Sequence, residues 1–296
     1  MSGARALCVA LLVVGGCRSN APSPSSGASV VPSADDEEPA DETPSSHAGG
    51  AASGHRQGPP CQSDLASCPA SGCETPGTPH ALFDQRKKRT TAADGSPVTF
   101  ASARPIDFGT LRFLQGRATS LVGEETMLDA AQRQLLAAVA TPGGTFGEGA
   151  PVRLKGYLAR HDPHRPGSGV HAGGIESVNC RLREERWRDF HVPLVPGPGD
   201  DECDGVVVEM IPQGREQHPA WTIEGLRSLQ RQGRAVLVVG PLLYDSEHAT
   251  NADCAHLHRG QPKRMSLWEV HPVVEMYVCR EGAACDAGRR EDWDLE

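Results

Sequence analysis

The sequence predicts a mainly β protein with minor α content: a five-stranded barrel preceded by a small, partly helical region that contains cysteines. Two observations predict this fold class. Five β-rich runs follow one another between residues 150 and 280, and a single capped helix lies between the third and the fourth of them. Glycine (33 residues) and proline (24) are abundant while aromatic residues make up only 4 %, so much of the remaining chain is predicted as loop.

The first three strands are predicted from the pattern of apolar and polar residues. Residues 152–158 (VRLKGYL) alternate between the two types, as is typical of a strand with one buried face. The second strand region covers residues 176–194, and RWRDFHVPL is its clearest part. The third strand is GVVVEMI at residues 205–211.

A helix and two more strands complete the predicted barrel. Residues 222–232 form the helix, because Thr222 is a favourable N-cap and Gly233 a favourable end. The apolar run 235–245 predicts the fourth strand, and residues 266–279 (SLWEVHPVVEMYVC) predict the fifth.

This order of elements resembles the OB-fold, a five-stranded Greek-key barrel with a helix between its third and fourth strands. The β-rich runs and the capped helix at 222–232 carry the resemblance, which covers residues 150–280. It implies that the five strands close into a barrel. A different small β-barrel or a sandwich is the alternative.

The region before the barrel, residues 61–149, is predicted to be rich in loops, with one clear helix at 124–139 (EETMLDAAQRQLLAAV). The basic run at 86–89 is predicted to lie in a solvated loop.

The N-terminus has the pattern of an export signal. Residues 1–16 contain a short apolar run, and Val14-Gly15-Gly16-Cys17 resembles the lipobox of bacterial lipoproteins. That resemblance implies a lipid on Cys17 that attaches the protein to a membrane, and Arg18 after it favours the outer membrane of the cell envelope. An ordinary secretory signal with a chance cysteine is the alternative.

Two acidic segments flank the predicted folded part. Residues 17–60 are rich in Ser, Pro, Ala and acids and are predicted to be a disordered tether, and residues 281–296 are predicted to be an acidic tail. These two segments carry most of the net charge of −9, which leaves the part between them nearly neutral. Strong electrostatic binding to the phosphate backbone of a nucleic acid is therefore not expected.

Eight cysteines remain after Cys8 in the signal and Cys17 at the lipidation site. An even number in an exported chain predicts up to four disulfides. The spacing of the first three lacks the C-x-x-C pairs of a zinc ribbon, which favours disulfides over a metal knuckle. The candidates are Cys61, Cys68, Cys73, Cys180, Cys203, Cys254, Cys279 and Cys285.

Polar residues alternate with the apolar ones on the second, third and fifth predicted strands. The apolar sets are expected to fill the barrel, so the polar sets are expected on its outer face, with neighbouring strands about 4.8 Å apart. One more histidine follows the fourth strand. The resulting candidate metal or ligand face comprises Asp189, His191, Glu209, His248, Glu269 and His271.

Such a face allows three interpretations. Carboxylates and imidazoles can hold a divalent metal ion, serve as an acid–base pair, or form ion pairs on a solvated surface. The elements D-x-H (189–191) and W-E-x-H-P (268–272) are similar to those of uncharacterised bacterial exported proteins, a resemblance that implies no activity. No H-E-x-x-H, G-x-S-x-G or phosphate-loop motif occurs.

Two functional hypotheses follow from the sequence. The first is an envelope lipoprotein whose barrel binds an unknown protein or small-molecule ligand without catalysis and without a cofactor. The second is a metal-dependent hydrolase that acts on phosphodiesters or glycans through the candidate face.

Overall fold

The computed structural model describes residues 58–123, 127–162, 167–248 and 264–296. The predicted signal (1–16), Cys17, nearly all of the tether and Cys254 lie outside these residues. Within the described ranges, no helix combines the length and the apolar character that a membrane crossing needs.

The described residues form eleven strands and five α-helices. The strands are β1 (Arg104–Ile106), β2 (Val139–Thr141), β3 (Gly144–Phe146), β4 (Pro151–Leu158), β5 (His171–Ala172), β6 (Phe190–Val195), β7 (Val206–Met210), β8 (Ala235–Tyr244), β9 (Trp268–Val270), β10 (Glu275–Cys279) and β11 (Trp293–Leu295). The α-helices are α1 (Pro79–Lys87), α2 (Phe108–Val122), α3 (Ala130–Leu135), α4 (Pro212–Arg215) and α5 (Ile223–Gln232).

Five of the strands close into a barrel in the order β4-β6-β7-β9-β8, with β8 pairing back onto β4. The pairs are antiparallel except for β7 and β9, which run parallel. Helix α5 connects β7 to β8, with Thr222 as its N-cap and Gly233 in the left-handed conformation at its end. The predicted mainly β fold with an OB-like barrel is confirmed.

The barrel interior is filled by the apolar residues that the alternation assigns to it. Val192 and Leu194 of β6 face the inside together with Val208 of β7 and Val238 of β8, and all four are fully buried. Burying a side chain of this size stabilises the fold by roughly 1.5–3 kcal/mol, so the barrel is a packed core. The intervening residues of β6 and β7 point to the outer wall.

The predicted fifth strand, 266–279, is wrong as a single element. It divides into β9, which closes the barrel, and β10, which pairs with the first half of β8 outside it. The division falls at the His271–Pro272 peptide bond, because proline has no N–H to donate to a strand ladder. His271 thus lies just after β9 rather than inside a strand.

The N-terminal region contains more helix than the sequence indicates. Helices α1 and α2 were not predicted, and the helix predicted at 124–139 is the shorter α3, which begins at a capping box formed by Asp129 and Gln132. The basic run 86–89 does not lie in a solvated loop, because its first two residues belong to α1 and Lys87 is buried.

One disulfide, Cys68–Cys180, links this region to the barrel domain, and others lie within each part. Cys61 bonds to Cys73, Cys68 to Cys180 and Cys279 to Cys285, and Cys203 is disulfide-bonded as well. The first three predicted cysteines therefore form disulfides rather than a metal knuckle.

The predicted acidic tail, 281–296, differs from the structure. Its strand β11 pairs with β10, and Trp293 is fully buried in a second apolar cluster. Burial of Trp293 stabilises this segment against the domain, although its acidic composition is typical of a solvated tail.

Candidate functional site

Three side chains from three neighbouring segments of the barrel wall meet at one point. Asp189 precedes β6, Glu209 lies on β7 and His271 follows β9. One potential ligand atom from each lies within 4.8 Å of the other two, and the residues are 1 %, 0 % and 1 % exposed. The strand order β6-β7-β9 explains the convergence, because these segments are adjacent only in the closed barrel.

His191 joins this group from β6. It lies directly opposite Glu209 in the β6–β7 register, and its Nε2 is 3.3 Å from Glu209 Oε1. His271 Nε2 approaches the other carboxylate oxygen, Glu209 Oε2, at 2.9 Å. We call Asp189, His191, Glu209 and His271 the wall cluster.

Polar atoms of the wall cluster have no hydrogen-bond partner among the described residues. These atoms are Asp189 Oδ2, both carboxylate oxygens of Glu209 and both ring nitrogens of His191 and His271. The two imidazoles contact Glu209 at ion-pair distance, but other polar atoms, such as Asp189 Oδ2 and Nδ1 of both histidines, lack such a contact. Leaving polar atoms buried without a partner is costly, which supports a further group at this point.

A second layer orients the cluster. Asn179 donates from Nδ2 to Asp189 Oδ1 at 2.8 Å, which leaves Oδ2 directed at the cluster. Asn179 belongs to the 3-10 turn 177–179 that precedes Cys180, the partner of Cys68. Ordered second-layer contacts of this kind are typical of metal ligands.

The N-terminal region covers the wall cluster. Lys87 of α1 is 2 % exposed and forms an ion pair of 2.7 Å with Glu176. Arg86 and Arg89 line, together with His271, a cavity of about 10 Å³, which has room for about one water molecule. The face is on the outer wall, but its residues are buried, so it does not match the solvated surface of ion pairs that is one of the three interpretations.

Glu269 and His248 belong to a separate group beside the wall cluster. Glu269 and Asp245 lie within 4.8 Å of Glu209, yet the guanidinium of Arg264 occupies this acidic corner. Arg264 Nη1 hydrogen-bonds to Glu269 Oε1 and lies 3.4 Å from Asp245 Oδ2, and His248 Nδ1 contacts that same oxygen. The guanidinium of Arg264 already supplies positive charge to Glu269 and Asp245, so these carboxylates need no metal ion.

Burial sets the protonation states of the wall cluster. It raises the pKa of Asp189 to about 6 and lowers the pKa of His191 to about 4. Burial alone would also raise the pKa of Glu209, but the neighbouring imidazoles of His191 and His271 hold it well below its ordinary value. At pH 7 the carboxylates are ionised and His191 is neutral, which are the states that bind metal ions.

The sequence identified the wall cluster but not its surroundings. The structure brings Asp189, His191, Glu209 and His271 close together, whereas His248 and Glu269 are held by other partners. Residues that sequence reasoning missed are Lys87, Glu176, Asn179, Asp245 and Arg264. Their contacts to the face bridge distant parts of the chain, and no local pattern marks them.

Replacing Gly173 by alanine should disturb the site selectively. A Cβ atom at Gly173 would lie 2.7 Å from His191 Nε2, whereas a Cβ at the neighbouring Gly174 would meet nothing within 4 Å. We expect Gly173→Ala to lower the free energy of unfolding by about 1–3 kcal/mol, as overpacking does, and Gly174→Ala by less than about 0.5 kcal/mol. Urea denaturation of both variants measures the difference, and equal losses would show that His191 is not confined.

Comparison with known proteins gives no functional assignment: no protein-family model matches the chain, and no curated protein matches it.

Proposed function

We propose that this chain is an exported envelope lipoprotein whose barrel wall holds a divalent transition-metal ion in the wall cluster, without catalysing a reaction. One observation carries the metal assignment. Ligand atoms of Asp189, Glu209 and His271 converge within 4.8 Å in a buried place, and they have no hydrogen-bond partner among the described residues.

The donor set suits a metal ion of intermediate softness. One imidazole and two carboxylates converge within 4.8 Å, and Zn²⁺, Fe²⁺ and Mn²⁺ all accept this mixture of ligands. In a tetrahedral site, ligand atoms about 2.0–2.2 Å from one Zn²⁺ ion lie about 3.3–3.6 Å from each other. The observed atoms lie within 4.8 Å of one another, so a bound ion draws the side chains closer together.

Charge supports a cation at the same point. Asp189 and Glu209 are ionised at pH 7, and His191 is neutral there because burial lowers its pKa to about 4. Lys87 of α1 pairs with Glu176 at 2.7 Å, and its charge also acts on both carboxylates of the wall cluster. A divalent ion between the two carboxylates offsets charge that would otherwise be expensive to bury.

Burial argues against the hydrolase alternative. A hydrolytic metal keeps an open coordination position that a substrate can reach. The wall cluster is buried, and the cavity that Arg86, Arg89 and His271 line among the described residues holds about 10 Å³. A metal held this way stabilises the barrel wall and leaves other surfaces for ligand binding.

The anchoring part of the proposal comes from the sequence alone. The lipobox-like residues 14–17 provide the lipid attachment, and residues 17–60 provide a tether between the membrane and the folded part. The disulfides of the folded part fit an oxidising compartment outside the cytoplasm.

Metal content of the purified protein tests the assignment. After dialysis against Zn²⁺, Mn²⁺ or Fe²⁺ and removal of free ions, the wild type should retain about one ion per chain. Asp189→Asn and His271→Gln should each retain at least about tenfold less. Glu224→Gln, an exposed acid on α5, and His218→Gln are matched controls that should retain the wild-type amount.

Circular dichroism of each variant separates lost binding from lost folding. A wild type that retains none of the three ions, or folded variants that retain as much as the wild type, would refute the metal assignment.

A further inference from the structure

Two clefts with a basic lining lie at one end of the barrel. One cleft, of about 460 Å³, lies between the end of β4, the 198–199 turn and the last turns of α5. A second, of about 500 Å³, lies between the start of β8 and the loop after β10. Tyr157 and Gly233 line both clefts, so the clefts are neighbours, and we call the two together the basic groove.

Arginine dominates the lining of this groove. Among the described residues that line the groove, Glu281 is the one with an acidic side chain. The arginines are Arg160, Arg227 and Arg231 in the first cleft and Arg234 and Arg280 in the second. This concentration of positive charge is unusual because the net charge of the folded part as a whole is nearly zero.

Structural roles account for only part of these arginines. Arg231 pairs with Glu224 and Arg280 with Asp294, each at 2.6 Å on the exposed surface. Exposed pairs of this kind are weak and exchange readily for another anion.

The other arginines of the groove keep donors available. Arg227 donates a hydrogen bond from Nε to the carbonyl oxygen of Val170, and Arg234 donates one from Nη2 to the carbonyl oxygen of Cys279. Arg160 is exposed and has no acidic partner within the described ranges. Each guanidinium has five N–H groups, so all three retain donors for a ligand.

We propose that this groove binds a linear acidic polysaccharide through its carboxylate groups. Two neighbouring clefts fit an extended chain better than a compact molecule, and arginine forks match carboxylates spaced along it. Tyr157, which lines both clefts, supplies an aromatic side chain between them.

Two features favour a polysaccharide over a nucleic acid. Single-stranded nucleic acid is held by several stacking aromatic side chains, and among the described lining residues Tyr157 is the aromatic one. The choice also rests on the proposed envelope location, where acidic polysaccharides occur and nucleic acids are not the expected partners.

Binding of the full-length protein to polygalacturonate tests the proposal, with neutral dextran and a 15-residue oligothymidylate as comparison probes. We expect saturable binding to polygalacturonate that weakens as salt is raised, and none to dextran. The double variant Arg160→Gln/Arg227→Gln should bind at least about tenfold more weakly, whereas Arg117→Gln, an exposed arginine of α2, should bind like the wild type.

Absence of polygalacturonate binding, equal binding by the double variant, or tighter binding to oligothymidylate would each overturn the proposal. The groove variants change no residue of the wall cluster, so their metal content should equal that of the wild type. Failure of the groove and failure of the metal assignment are therefore distinguishable.

Discussion

Glu209→Ala is expected to lower the free energy of unfolding by about 3–5 kcal/mol, the range for removing one member of a buried charged group. Glu209 is fully buried and lies within 3.3 Å of both His191 and His271. Its loss leaves two imidazoles without their shared carboxylate and removes a ligand of the proposed ion. Chemical denaturation of the variant and the wild type measures the loss.

Two controls define the origin of that effect. Glu224→Ala, whose side chain is 74 % exposed, should change stability by less than about 0.5 kcal/mol. A chelator added to the wild type should reproduce most of the Glu209→Ala loss and should have little effect on the variant itself. A loss below about 1 kcal/mol would contradict the structural importance of the wall cluster, and a chelator-insensitive wild type would contradict the metal.

Removing the Cys68–Cys180 disulfide is expected to cost about 5 kcal/mol in the double variant Cys68→Ala/Cys180→Ala. The bond closes a loop of 112 residues, and the loop-entropy model gives about 5 kcal/mol for that length. The matched double variant Cys61→Ala/Cys73→Ala opens a loop of only 12 residues and should lose about 3 kcal/mol. Urea denaturation without reductant compares the two.

The Cys68–Cys180 disulfide also holds the N-terminal region, which includes α1, in place beside the wall cluster. Hydrogen exchange of the α1 amides should therefore increase more in the Cys68/Cys180 variant than in the Cys61/Cys73 variant. Equal losses of stability, together with equal exchange, would show that the long-range bond does not hold residues 58–92 against the barrel.

The sequence was sufficient to predict the barrel and the composition of its wall. Alternation placed Val192 and Leu194 inside and His191 outside, and the β6–β7 register sets His191 opposite Glu209 as that alternation requires. The capped helix 222–232 was equally clear, because Thr222 and Gly233 mark both of its ends. These features depend on residues that are close in the chain.

The burial of the wall cluster could not be predicted in this way. A polar row on a strand has the same pattern whether it meets water or a second layer of protein. The second layer comes from contacts across long separations, such as Lys87 with Glu176 and Cys68 with Cys180. Lys87 also looked like part of a solvated basic run, because only its ion pair distinguishes it from its neighbours.

Anomalous X-ray diffraction from crystals of the purified protein, recorded on both sides of the absorption edge of the retained metal, tests the central claim most directly. The account predicts one strong anomalous peak in the wall cluster, about 2.0–2.2 Å from His271 Nε2 and from carboxylate oxygens of Asp189 and Glu209. A wall cluster with no anomalous peak, in which a water molecule or Lys87 Nζ lies between the carboxylates, would contradict it.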